Sequence, residues 1–134
     1  MWKNQKKIKQ SASLEQKILG KYIIYDESMG MGVCKFTKNE LKDGYVASEG
    51  YPLSILGRRE SGNTIYYQTS VGEVPIEIID DNTVYYGNSM PCKLLNSYQL
   101  IQRVYEKFGP DIANYEYLKY FGVTQSEIDY FYSN

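Results

Sequence analysis

Few side chains in this sequence could do covalent chemistry. Cys34 and Cys92 are the two thiols, and the 134 residues include no histidine. That absence excludes Ser-His-Asp and Cys-His nucleophiles, His-bearing zinc sites, 2-His-1-carboxylate iron sites and a histidine pH switch. A nucleophilic Cys34 would have to borrow a nearby Lys or a helix N-terminus instead. Adjacent carboxylates occur at Asp26-Glu27 and Asp80-Asp81. Neighbours on a strand point to opposite faces, and Asp80-Asp81-Asn82 reads as a turn, so neither pair suggests two carboxylates facing across a cleft. Met29-Gly30-Met31-Gly32 lacks the Lys-Ser/Thr of a phosphate loop. The expectation is a protein that binds rather than catalyses, with no cofactor and no metal.

Tyrosine is the residue in excess, with 15 copies against four Phe and one Trp. Its apolar ring and polar tip suit a barrel mouth or a protein-binding surface. Tyr45, Tyr51, Tyr66 and Tyr86, with the acidic loop residue Glu49, are the candidate partner-binding set. Charge divides along the chain. Residues 1–25 carry six Lys and one Glu, which leaves nine basic and fifteen acidic groups in residues 26–134. The basic run Lys3, Lys6, Lys7 and Lys9 reads as a solvated arm. The acidic body argues against nucleic acid, which demands clustered Lys and Arg. Gly122-Val123-Thr124-Gln125-Ser126-Glu127-Ile128 superficially resembles the turn of a helix-turn-helix, but Glu127 and Asp129 stand where phosphate would approach.

No run approaches eighteen apolar residues, so no transmembrane segment is expected. No apolar stretch follows the basic start, so the location reads as cytoplasmic, or as periplasmic or secreted if an export signal has been removed. Cys34 and Cys92, 58 residues apart, each follow a loop bearing Met and Gly or Pro. They could face each other as a disulfide in an oxidising compartment, or stand as two small buried hydrophobes. Both alternatives stay open.

The elements that must position these side chains are mainly β. Residues 1–12 read as a flexible arm. Ser13, with Gln16 three positions on and Gly20 as a stop, marks one short helical turn. Period-2 alternation and short turns then predict strands at 21–27, 32–37, 44–48, 53–60, 63–70, 73–79, 83–87 and 97–105, with a short one at 92–95. Repeated hairpins of this kind close most economically into an antiparallel up-and-down barrel of about eight strands. A helical hairpin follows in residues 106–134. Ile112, Tyr115, Leu118 and Phe121 share one helical face before Gly122, and Thr124 to Glu127 forms a capping box, with Val123 stapling onto Ile128.

Gly20-Lys21-Tyr22, after a helical turn and opening the first strand, resembles the Gly-x-Trp start of lipocalin-like (calycin) barrels, with Tyr in place of Trp. Phe36 to Leu41 and Ile79 to Tyr86 resemble small bacterial members of that group. The resemblance spans residues 13–105. It implies a barrel closed by an Arg on the last strand packed across the first-strand ring, here Arg103 over Tyr22. It also keeps alive a carrier for a small apolar ligand or lipid. The leading expectation is a bacterial immunity or inhibitor protein whose partner is a toxin or hydrolase.

Overall fold

The computed structural model describes residues 14–48, 50–87 and 91–134. The basic arm at 1–12, the capping residue Ser13 and Glu49 lie outside the described residues. Eight strands follow in chain order: β1 Tyr22–Asp26, β2 Met31–Phe36, β3 Glu40–Tyr45, β4 Gly50–Ser61, β5 Thr64–Thr69, β6 Gly72–Asp80, β7 Thr83–Tyr86 and β8 Pro91–Leu95. Each pairs antiparallel with the next, and β8 returns to β1 in the register Tyr22↔Leu95 and Ile24↔Lys93, which closes the barrel. Closure removes the exposed strand edges.

Alternation decides what fills the lumen. Ile23, Cys34, Phe36, Leu41, Ile65, Tyr67, Ile76, Val84 and Leu94 point inward and are buried. Phe36 stacks on Tyr67 with ring centroids 4.6 Å apart. On β1 and β2 the outward residues Tyr22, Ile24, Met31 and Val33 are buried as well. That is why Tyr22 to Tyr25 is apolar on both faces: this part of the wall lies beneath helices.

The helices are α1 Ser97–Phe108, α2 Tyr115–Leu118 continuing into a 3-10 turn at Lys119–Phe121, and α3 Gln125–Ser133. Leu100, Ile101, Val104, Leu118, Phe121, Val123 and Ile128 pack with the outward β1 and β2 residues as a second core. The Thr124 capping box forms as expected, and Val123 and Ile128 share that core. Gly122 ends the 3-10 turn at φ +87°, and a Cβ there would meet Lys35 Nζ.

One expected strand is a helix. The segment 97–105 lies within α1, and 91–95 supplies the eighth strand. Asn96 accepts from the Gln99 N–H while the Gln99 side chain accepts from Asn96 N–H, a capping box that starts a helix. Leu100, Ile101 and Val104 then recur on one helical face. The third strand begins at Glu40 rather than at 44, and the helical run expected from 112 is shorter because Asn114 caps it.

Arg103 therefore does not close the barrel over Tyr22. It sits on α1 and its Nη2 donates to Asp26 Oδ2 at 2.7 Å. Tyr22 faces outward beside its register neighbour Lys35, whose Nζ lies 4.7 Å from the ring centroid and donates to Tyr22 Oη at 3.1 Å. Closure of the lumen falls to residues 14–20, which form a helical turn across one end. Ile18 enters the lumen core from there. Glu15 Oε2 accepts from Tyr67 Oη at 2.7 Å and from Arg58 Nη1 at 2.9 Å, and Arg58 also donates to the Lys38 carbonyl. Gly20 N–H donates to the Phe36 carbonyl.

Candidate functional site

The turn at 14–20 seals one end of the barrel, so any access from solvent to the lumen is at the other. Among the described residues, that mouth is bordered by 27–30, 46–48, 70–71 and Gly87. The antiparallel register brings side chains together there. Tyr25 pairs with Gly32 and Gly32 with Tyr45, while Cys34 pairs with Asp43 and Asp43 with Tyr51. All these positions share the lumen face.

Gly32 is required by a close approach. The Tyr25 ring lies over it, and a Cβ at this position would clash with the ring atoms Cζ, Cε1 and Cε2. Tyr25 then meets Tyr45 edge to face, with centroids 5.8 Å apart at 83°. Tyr45 Oη donates to Glu27 Oε1 at 3.3 Å. Tyr51 stands 71% exposed on the rim, with Met29 and Val71 as its exposed apolar companions.

Below the rings, Tyr86 reaches across the lumen from β7 to β3 and donates from Oη to Asp43 Oδ2 at 3.2 Å. The Cys34 thiol lies within hydrogen-bonding reach of the same hydroxyl. Burial pushes the Asp43 carboxyl above its ordinary value, partly offset by hydrogen bonds from Tyr86 and from the Gly44 N–H. Burial likewise drives the Tyr86 and Tyr25 hydroxyls upward, so both stay neutral donors. The Cys34 thiol is raised well above its usual range by burial and by the Asp43 charge, the opposite of an activated nucleophile. Among the described residues, no Lys or Arg pairs with Asp43.

Of the sequence-derived residues, the structure gathers Tyr45, Tyr51 and Tyr86 at the mouth. Tyr66 is elsewhere: it lies on the outer wall of β5 under Arg59, whose guanidinium carbon is 4.0 Å from the ring centroid. Cys34 and Cys92 are both buried in the lumen core as thiols, not as a disulfide. Asp43 and Tyr25 escaped the sequence reading. The signal was there in Leu41, Asp43 and Tyr45, which alternate along β3, but charged neighbours obscured it.

A surface hollow of about 200 Å³ lies outside the mouth, lined by Ile24, Tyr25, Asp26, Pro91, Lys93 and Arg103. Its carboxylate is already neutralised, because Asp26 accepts from both Arg103 and Lys107. Among the described residues no group of three or more Cys, Asp or Glu is placed to hold a metal ion, and no helix is long and apolar enough to cross a membrane. No protein-family model, curated protein or solved structure matches the chain. The class rests on the geometry: a closed antiparallel eight-stranded barrel, compatible with the lipocalin-like architecture, with helices packed on its outer wall.

Proposed function

We propose that this protein works by binding another protein through the barrel mouth, as an immunity or inhibitor protein occluding a toxin or hydrolase, and that it is not an enzyme. One observation carries the reading: Tyr45, Tyr51, Met29 and Val71 are exposed around a single end of a barrel whose interior below them is filled by side chains. Exposed aromatics that cluster, rather than scatter, are what a partner surface needs. The packed lumen favours this over a carrier of a small apolar ligand, since Phe36, Tyr67, Ile65 and Ile76 occupy the space such a ligand would take.

The test is capture by the purified protein, identification of the captured partner, and assay of that partner's own activity with and without the barrel. Tyr45→Ala and Tyr51→Ala should each weaken capture, whereas Tyr66→Ala on the outer wall should not. Equal capture by the mouth variants, or a partner whose activity is indifferent to the complex, would defeat the reading.

A further inference from the structure

Asp43 is an anion that the fold leaves uncompensated. Its carboxylate is half-buried among tyrosine rings, and its donors are the Tyr86 hydroxyl and the Gly44 N–H, neither of which carries a full charge. The cations that flank it on β2 and β3, Lys35 and Lys42, face the opposite side of the wall, where Lys35 donates to Tyr22 Oη and Lys42 lies 4.0 Å from Glu40. Taking a carboxylate out of water costs free energy that a cation regains when it arrives. Around Asp43, the faces and edges of Tyr25, Tyr45 and Tyr51 supply what favours an organic cation over a hydrated metal ion, because ring quadrupoles attract alkylammonium and guanidinium groups. Glu27, held by Tyr45 Oη, adds a second negative charge at the rim.

We infer that the mouth is a receptor for an organic cation, and that the cation is a Lys or Arg side chain of the protein partner, paired with Asp43 and packed against Tyr25, Tyr45 and Tyr51. The inference rests on the mouth being the partner surface, and it gives the partner's anchoring residue a chemistry. A long aliphatic stem ending in a charge matches the site from top to bottom. The stem meets the exposed Tyr51 and Met29, and the head meets Asp43.

The experiment is an amide NMR titration of the intact protein at neutral pH with three probes. These are n-butylammonium chloride, n-butanol as the neutral isostere, and acetyl-Gly-Lys-Gly-amide. The ammonium and the Lys peptide should shift amides at residues 25, 32, 43–45 and 86, with n-butanol far weaker. Asp43→Asn, which keeps an acceptor for Tyr86, should weaken both by about tenfold or more, equivalent to roughly 1.4 kcal/mol. Tyr51→Leu changes an exposed ring that the fold does not need, and should weaken them roughly three- to tenfold. Equal binding of n-butanol, or titrations unmoved by Asp43→Asn and Tyr51→Leu, would overturn the inference. Ammonium binding with the peptide excluded would overturn its assignment to a partner side chain. The two readings fail separately. Silent probes with mouth-dependent partner capture sink the cation site alone, whereas Asp43-dependent probe binding with partner capture indifferent to the mouth sinks the partner surface.

Discussion

Ile18→Ala tests whether the turn at 14–20 is the plug of the barrel. Ile18 has no exposed surface and lies in the lumen core beside Ile23 and Phe36. Truncation removes three carbons at about 0.8 kcal/mol each and leaves a cavity at the sealed end, for a total of about 3–4 kcal/mol. For a domain of this size that corresponds to a fall in Tm of roughly 10–15 °C. Differential scanning calorimetry reads it directly. Leu56→Ala, at a position 71% exposed on β4, is the control and should move Tm by no more than about 2 °C. A fall below about 3 °C for Ile18→Ala would mean that the turn lies against the barrel without closing it. Because the plug is opposite the mouth, partner capture measured well below both transitions should stay at the wild-type level. Lost capture by the folded variant would refute the independence of the two ends.

Three further outcomes follow from the same geometry. Asp26 has its carboxyl held below the usual range, first by the Lys107 hydrogen bond and then by Arg103. Its contribution is therefore fully present above the unfolded value of 3.8 and is lost as pH falls through the folded one, so Asp26→Asn should flatten the acid limb of a urea-midpoint profile and cost about 1 kcal/mol at neutral pH after solvent screening. Gly32→Ala must push the Tyr25 ring off β2, so it should lower stability by about 1–3 kcal/mol and broaden or move the Tyr25 and Tyr45 ring resonances. Asp43 has the opposite sign to Asp26. Burial raises its carboxyl above the unfolded 3.8, so the ionised form costs stability once pH rises past that value, and Asp43→Asn should be the more stable protein at pH 7 and equal to wild type near pH 3. A variant less stable than wild type at pH 7 would show that the folded state already compensates this charge.

The meander was legible because β5, β6 and β7 alternate cleanly and are separated by turns such as Gly62-Asn63 and Asp81-Asn82. β3 was misplaced because Glu40-Leu41-Lys42-Asp43-Gly44-Tyr45 puts charge on both faces, and only barrel closure reveals that Asp43 points inward. The segment 97–105 misled for a different reason. Tyr98, Leu100 and Gln102 alternate with Gln99, Ile101 and Arg103 in a way that also fits a helix, and the decisive signal was local: Asn96 followed by Gln99 three residues later, with Gly109 as the stop. A strand at 97–105 would put Arg103 on the barrel wall, whereas the helix directs it to Asp26. Tyr45, Tyr51 and Tyr86 were legible as candidates by type alone. That they converge, and that Tyr66 does not, is a matter of register, which a one-residue slip would have reversed.

Glu15 and Asp43 stand at opposite ends of the lumen, and the fold treats the two carboxylates differently. Glu15 at the sealed end receives a guanidinium from Arg58 and a hydroxyl from Tyr67. Asp43 at the mouth receives a hydroxyl from Tyr86 and no cation among the described residues. Each acid accepts from a tyrosine hydroxyl, so the element the mouth lacks among the described residues is the positive charge. The sealed end shows that a Lys or Arg can be placed on a lumen carboxylate in this fold. A mouth built from the same parts, minus the cation, leaves the anion to whatever enters from outside.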